Sequence, residues 1–188
     1  MYKFIGGVDE VGRGGISGPV VAAIVILPDG FSDPRIRDSK TIKSLKKREE
    51  IESFIKENAI SWGIGAASPQ EIDQMNILQA TFLAMKRAID SCGKKPDFLF
   101  VDGDRFPGYE GIPYECVIKG DSKIQCISAA SILAKVHRDK LMRSLNSEFP
   151  KYGWSTNVGY GTSDHIKAIK ENGITRYHRK SFCQNFIK

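Results

Sequence analysis

The residues from Lys3 to Leu27, KFIGGVDEVGRGGISGPVVAAIVIL, constrain the chain more than any other stretch. An apolar run ends on two adjacent carboxylates, Asp9 and Glu10. A glycine-rich loop carrying one cation follows, Gly12-Arg13-Gly14-Gly15, and then a second apolar run, Val20 to Leu27. The pattern predicts a strand, an acidic corner, a flexible basic loop and a strand. Glycine lets backbone come close to a ligand, and the Arg13 guanidinium suits an anion. An acidic corner beside such a loop points to a cation and a phosphate meeting at one place. Neighbouring residues of a strand face opposite sides, so Asp9 and Glu10 can share a site only if the chain bends there, as Gly12 would help it do.

Downstream, helical and extended patterns interleave. Pro28 to Pro34 reads as a turn-rich loop, and Thr41 to Asn58 as a helix. Ile60, Trp62 and Ile64 alternate like a half-buried strand within Ala59 to Ala67. Ser68, Pro69 and Glu71 form a helix opening. Leu78, Phe82, Met85 and Ile89 recur at helical spacing between Ile77 and Cys92, a stripe that reads as core rather than binding surface. Phe98 to Val101 is a short buried strand, and Tyr114 to Lys119 another. The longest predicted helix runs from Ile124 to about Asn146, with Ile127, Ser131, Ala134, Leu141 and Leu145 near one face. Tyr152 to Ser163 reads as a loop, and Asp164 to Glu171 as a short helix closed by Asn172-Gly173. The class is therefore α/β. Tight connections between the early strands favour a mixed sheet over a wholly parallel one.

Three segments share a form. FIGGVDE, FLFVDGD and CVIKGDS each put an acid at the end of a predicted strand beside glycine. If these strands are neighbours running the same way, Asp9, Glu10, Asp102 and Asp121 meet at one edge of the sheet, where open α/β sheets place their ligands. Converging carboxylates repel, and a divalent cation relieves the repulsion. Oxygen-only ligation suits Mg²⁺ or Mn²⁺ better than zinc, and two such ions can clamp an in-line displacement at phosphorus. Asp121 competes with a role as helix cap. Asp139 lies about five helical turns beyond it and is kept as an outer residue.

The length of 188 residues suits one domain, spanning residues 1–188 with a C-terminal helical part from about residue 147. No apolar run approaches a membrane span and no secretory signal is present, so a cytoplasmic protein without membrane contact is expected. Cys92, Cys116, Cys126 and Cys183 have no C-x-x-C spacing and read as ordinary thiols. The dispersed His137, His165 and His178 argue against zinc. A net charge of +6 favours polyanions. Its clusters are Lys40, Lys43, Lys46, Lys47 and Arg48, and then Arg176, Arg179 and Lys180. Gly7-x-x-x-x-Gly12-Arg13-Gly14 is not a P-loop, since arginine and glycine replace Lys and Ser/Thr. The dinucleotide fingerprint fails at Ser17.

The opening GVDEVGRGGISGPVVAAIV, the Asp38-Ser39-Lys40 segment, Val101-Asp102-Gly103 and Lys119-Gly120-Asp121-Ser122 belong together with Ser128-Ala129-Ala130-Ser131-Ile132-Leu133-Ala134-Lys135, Gly159-Tyr160-Gly161-Thr162 and His178-Arg179-Lys180-Ser181-Phe182. In combination they resemble the bacterial ribonuclease HII family, the type 2 ribonucleases H. The resemblance implies a ribonuclease H-like fold, a mixed five-stranded sheet flanked by helices with further C-terminal helices. It implies an endoribonuclease that hydrolyses the RNA strand of RNA–DNA hybrids. Such an enzyme also cuts 5′ to single ribonucleotides in duplex DNA, as in ribonucleotide excision repair. It uses Mg²⁺ or Mn²⁺ and leaves 3′-hydroxyl and 5′-phosphate ends. The family's metal-site acids fall on Asp9, Glu10, Asp102 and Asp121. Its loop that reads the ribose 2′-hydroxyl falls on Gly12, Arg13 and Gly14, and its stacking tyrosine on Tyr160. Lys40, Lys43, Lys123 and Arg179 are candidate contacts to the nucleic-acid backbone. A monomer is expected, without a clamp-binding tail after Phe182.

Overall fold

The computed structural model describes residues 2–37 and 44–187. Five strands form one sheet in the order β3-β2-β1-β4-β5. They are β1 (Ile5–Val11), β2 (Val20–Ile26), β3 (Ser61–Ala67), β4 (Phe98–Asp102) and β5 (Tyr114–Val117). β1 and β3 each pair antiparallel with β2, while β1, β4 and β5 run parallel. The sheet is mixed, as the tight early connections predict. The helices are α1 (Pro34–Arg37), α2 (Leu45–Asn58), α3 (Pro69–Met75), α4 (Ile77–Asp90), α5 (Gln125–Glu148), α6 (Trp154–Asn157), α7 (Ser163–Asn172) and α8 (Lys180–Cys183). The Asp38-Ser39-Lys40 segment and Lys43 lie outside the described residues, and α2, expected from Thr41, begins at Leu45 because the extended Ser44 caps it, its hydroxyl accepting from the Lys47 N–H.

β2 is buried along its whole length because helices cover both faces of the sheet. Val20, Ala22 and Ile24 pack with Val8, Leu99, Val101 and the buried side of α4. Val21, Ala23 and Val25 pack on the other face with α2 and α5. A third cluster, with Trp154 and Met142 at its centre, joins the C-terminal helices to Ile16 of the glycine loop. Two close approaches explain glycines in strands. A side chain at Gly65 would overlap the α4 backbone at Ala84 and Ala88, and one at Gly7 would overlap the start of α5 at Cys126 and Ile127. The inward face of β3 is therefore Gly63, Gly65 and Ala67. Of the alternating residues, Ile60 and Trp62 are 45% and 36% exposed, while Ile64 is half-buried against the second core cluster.

Caps account for several boundaries. Ser68 and Glu71 close a capping box on α3, with Pro69 at the first turn. Asn76 adopts φ +72° and its Oδ1 accepts from the N–H groups of Leu78 and Gln79, which ends α3 and opens α4. The stretch from Tyr152 to Ser163, read as a loop, contains α6, with a 3₁₀ turn at Pro150–Tyr152 just before it. Trp154 drives this structure, since it is fully buried and stacks on Tyr152. All four cysteines are free. Among the described residues, no helix is long and apolar enough to cross a membrane.

Candidate active site

The site lies at the C-terminal ends of the parallel strands. The β1–β4 ladder stops at Val8 and Val101, whereas β1 stays paired with β2 through Val11. Asp9 and Asp102 come one position after that last pair, so they are lateral neighbours on the same face. Glu10 points to the other face. The bend expected between Asp9 and Glu10 is absent, because residues 6–11 pair continuously with β2. The two acids instead flank one open edge, Asp9 on the α5 side and Glu10 on the α4 side. The chain turns sharply only after the acids, at Gly12 with φ +92°.

Asp121 reaches the site by a different route. After β5, Lys119 takes a left-handed conformation and a 3₁₀ turn follows at Gly120–Ser122. This turn brings the N–H groups of Gly120 and Asp121 to Oδ1 of Asp102, at 2.7 and 3.4 Å. Asp121 is buried, and its carbonyl accepts a bond from the Ser128 hydroxyl. It does not cap α5, whose N-cap is Ile124 without a side-chain bond.

The carboxylates are under electrostatic pressure. Burial pushes the Asp9 carboxyl well above the usual carboxylate range. The charges of Glu10 and Asp102 push the same way, against hydrogen bonds from Ser131 and from the Glu10 N–H at 2.7 Å. Glu10 is raised by burial and by Asp102, against the attraction of Arg13. Arg13 lies 3.4 Å from the Glu10 carboxylate, and its side chain is about half exposed. Among the described residues, no three Asp, Glu, His or Cys side chains are gathered closely enough to hold a metal ion as they stand. The donors are nonetheless all oxygen, and among the described residues no cation stands beside the buried Asp9 carboxylate. A hard divalent cation fits that set.

A cavity of about 220 Å³ opens beside these acids, between Glu10, Arg13 and Asp102 on one side and Leu78, Phe82 and Met85 on the other. Part of the α4 stripe thus walls the site. Met85 and Ile89 are core, but Leu78 and Phe82 are half-buried and face the cavity.

The loop candidates separate. Gly12 is a seat for Arg138, since a Cβ there would overlap the Arg138 Nε, Cδ and Cζ atoms. At Gly14 a Cβ would meet only ordinary contact, with Tyr160 Cε1 at 3.9 Å. Tyr160 is 36% exposed beside it, with the Arg138 guanidinium 5.5 Å from its ring centre. Lys123 is exposed, and its ammonium donates to the Ile118 carbonyl at 2.8 Å. Lys40 and Lys43 lie outside the described residues.

Arg179 does not contact solvent, so it is not a backbone-contact residue as expected. It is fully buried and donates to the carbonyls of Gly18, Arg13 and Gly12. Arg48 is likewise turned inward, to Asp139, which also binds Lys135. Asp139 is thus a buried ion-pair partner on α5.

Sequence reasoning missed Arg138, which bonds the carbonyls of Pro19, Val158 and Ser17. A signal existed, because Arg138 falls at helical spacing within the Ser131, Ala134, Leu141, Leu145 stripe and so on the buried face. It also missed a chain of bonds beneath Tyr160. Trp154 Nε1 donates to His165 Nε2 at 3.1 Å, and His165 Nδ1 meets the Tyr160 carbonyl at 2.8 Å. His178 Nε2 lies 3.2 Å from His165 Nε2, while His178 Nδ1 accepts from the Thr175 N–H. The contacts fit His178 protonated on Nε2 and His165 on Nδ1, with the one lone pair of His165 Nε2 shared between the Trp154 and His178 donors. No local signal links residues 13 apart across a loop.

Comparison with known proteins adds to this geometry. The family profile described as Ribonuclease HII matches residues 6–185. A ribonuclease HII of Pelagibacter ubique (strain HTCC1062) is 54% identical over 180 residues, covering 96% of each chain. One of Neisseria meningitidis serogroup C is 49% identical over 183 residues, covering 97% of this chain and 94% of the other. The crystal structure of ribonuclease H2 from Pyrococcus horikoshii OT3 superposes with a TM-score of 0.80 at 26% identity, over 97% of this chain and 96% of the other. A ribonuclease HIII structure in complex with Mn²⁺ shares the fold at a TM-score of 0.72 and 19% identity, over 90% of this chain and 63% of that one.

Proposed function

Since this chain belongs to the ribonuclease HII family, and so to the endonucleases of RNA–DNA hybrids, we propose that it also cuts 5′ to single ribonucleotides in duplex DNA. The products would carry 3′-hydroxyl and 5′-phosphate ends. The lateral pairing of Asp9 with Asp102, with Arg13 over Glu10, carries this reading. In this reading the carboxylates would hold a cation and the guanidinium would meet a phosphate at one open sheet edge.

Asp9, Glu10, Asp102 and Asp121 would hold Mg²⁺ or Mn²⁺. When bound, the ions supply an activated water and charge neutralisation at the scissile phosphate. The remaining work falls to the chain. The Ser131 side chain and the N–H of Glu10 hold the Asp9 carboxylate in place. The N–H groups of Gly120 and Asp121 fix Asp102. Arg13, Gly12 and Gly14 would read the ribose 2′-hydroxyl, the group that separates RNA from DNA. Tyr160, which stands beside Gly14, would stack on the sugar that follows. Lys123, together with Lys40 and Lys43, would meet phosphates. The whole chain would act as one type 2 ribonuclease H domain, a cytoplasmic monomer. Its part from about residue 147 would shape the recognition loop through Ile16.

A duplex with one embedded ribonucleotide, compared with an all-DNA duplex in Mg²⁺, Mn²⁺ or chelator, tests the reading. Cleavage confined to the first duplex and lost with chelator is the expected result. Equal cutting of both would remove the assigned role of Arg13. Binding without turnover in either metal would make the chain a hybrid-binding protein instead.

A further inference from the structure

Two buried arginines lie under the glycine loop. Arg138 and Arg179 are both 0% exposed. Every guanidinium bond they make goes to a main-chain carbonyl. Arg179 donates to Gly18 at 3.0 Å, Arg13 at 2.9 Å and Gly12 at 2.6 Å. Arg138 donates to Pro19 at 2.9 Å, Ser17 at 3.0 Å and Val158 at 2.7 Å. Among the described residues, neither has a carboxylate partner at ion-pair distance. Burying two cations without a counter-ion is costly, and apolar side chains would fill the space at less cost. Stability alone does not account for the pair.

The peptide plane shows what the arrangement achieves. A trans peptide directs its C=O and N–H in opposite directions. The Gly12 carbonyl shares a peptide with the Arg13 N–H, and the Arg13 carbonyl with the Gly14 N–H. Arg179 draws both carbonyls inward, so both N–H groups point away from it. Neither N–H has a protein acceptor among the described residues. Arg138 ties the same loop, through Ser17 and Pro19, to Val158 at the base of the Tyr160 segment, and lies against the Tyr160 ring. The Ile16 and Ser17 N–H groups bond to the Gly159 carbonyl, which closes the seam.

We propose that Arg138 and Arg179 are positioning residues for ribonucleotide recognition, holding the Gly12–Gly14 loop and the Tyr160 segment as one unit with the Arg13 and Gly14 N–H groups aimed at the substrate. The inference rests on the reading of that loop and Tyr160 as the ribonucleotide reader. Lysine cannot replace either arginine. An ammonium keeps the charge but lacks the planar fork that fixes two carbonyls at once.

The test measures kcat and KM of Arg179→Lys and Arg138→Lys on an embedded-ribonucleotide duplex, with Mn²⁺ binding measured by calorimetry. The expected result is a KM raised at least about tenfold, with kcat changed less than about threefold and Mn²⁺ affinity unchanged. Millimolar methylguanidinium should restore KM in Arg179→Ala, and methylammonium should not. An unchanged KM, or losses of kcat and Mn²⁺ affinity in step with lost stability, would overturn the proposal. A measurement on the unmutated protein covers variants that fail to fold. Adding the same duplex in chelator should shift the Arg13 and Gly14 amide resonances, and unmoved amides refute the assignment. Arg13→Ala separates the two levels. If it leaves discrimination against all-DNA duplex intact, the reading of the loop fails. If it abolishes discrimination while Arg179→Lys does not, only the positioning role fails.

Discussion

Asp9 and Asp102 are cross-strand neighbours, placed one position beyond the Val8–Val101 pair where the parallel ladder ends. They are 93 residues apart in the chain, yet β-sheet register alone makes them adjacent. Burial first, and then the charges of Glu10 and Asp102, push the Asp9 carboxyl well above the usual carboxylate range, so this strain is built into the fold.

Removing the buried Asp9 charge should stabilise the metal-free protein. Asp9→Asn is expected to raise metal-free stability, because burial and the neighbouring carboxylates disfavour the ionised Asp9 side chain. It should also lower kcat by more than about 100-fold, exceeding the usual loss from an outer-shell partner. Mn²⁺ should raise the thermal midpoint of the unmodified protein in a concentration-dependent way and leave that of Asp9→Asn nearly unmoved. Differential scanning calorimetry with and without Mn²⁺ reads both effects. A metal-free midpoint lowered by the substitution would contradict the electrostatic account.

Gly12 and Gly14 should respond oppositely to the same methyl group. Gly12→Ala places a Cβ on Arg138 at φ +92° and is expected to cost about 2 kcal/mol or more. Gly14→Ala meets only ordinary contact with Tyr160, so stability should change by less than about 0.5 kcal/mol. Its effect should instead appear as weaker binding of ribonucleotide-containing duplex. Urea unfolding and a binding titration on the two variants check the contrast.

Lys123 should act through charge alone. Replacing it with alanine is expected to reduce the slope of log affinity against log salt by about 1, with little change in selectivity. Filter binding from low to moderate salt measures it, and an unchanged slope removes Lys123 from the interface.

Acid should loosen the C-terminal part through His178. Burial, and then the neighbouring His165, depress its pKa to about 4. An unfolded histidine titrates near 6.5. Between these values the unfolded chain takes up a proton that the folded imidazole refuses. Stability therefore falls as pH drops from about 6.5 to about 4, by up to about 3 kcal/mol, and this contribution levels off below. The Asp9 carboxyl works in the opposite sense, so comparison with His178→Asn isolates the imidazole. Urea midpoints at pH 7.5, 5.5 and 4.5 should converge for the two proteins on the acid side.

Much of this molecule is legible from residue order, and the remainder is hidden for definable reasons. The strand-end acids are visible because FIGGVDE, FLFVDGD and CVIKGDS each finish an extended run beside glycine. The mixed sheet follows from tight early connections. The face of β3 is harder to read, because hydrophobicity marks Ile60 and Trp62 while the helix lies on Gly63 and Gly65. Arg179 is harder still. In a basic tail it resembles a solvated patch, and only bonds to carbonyls more than 160 residues away make it interior. The wall of the cavity was hidden in the same way, since Leu78 and Phe82 share one helical stripe with Met85 and Ile89.

Helix α5 carries both Ser131, which bonds the Asp9 carboxylate, and Arg138, which anchors the glycine loop. They are two turns apart, about 10.5 Å along one rigid rod. The interval between where the strand is severed and where its sugar is inspected is thereby set by a single ruler. Any shift of that rod carries both stations with it and leaves their spacing intact.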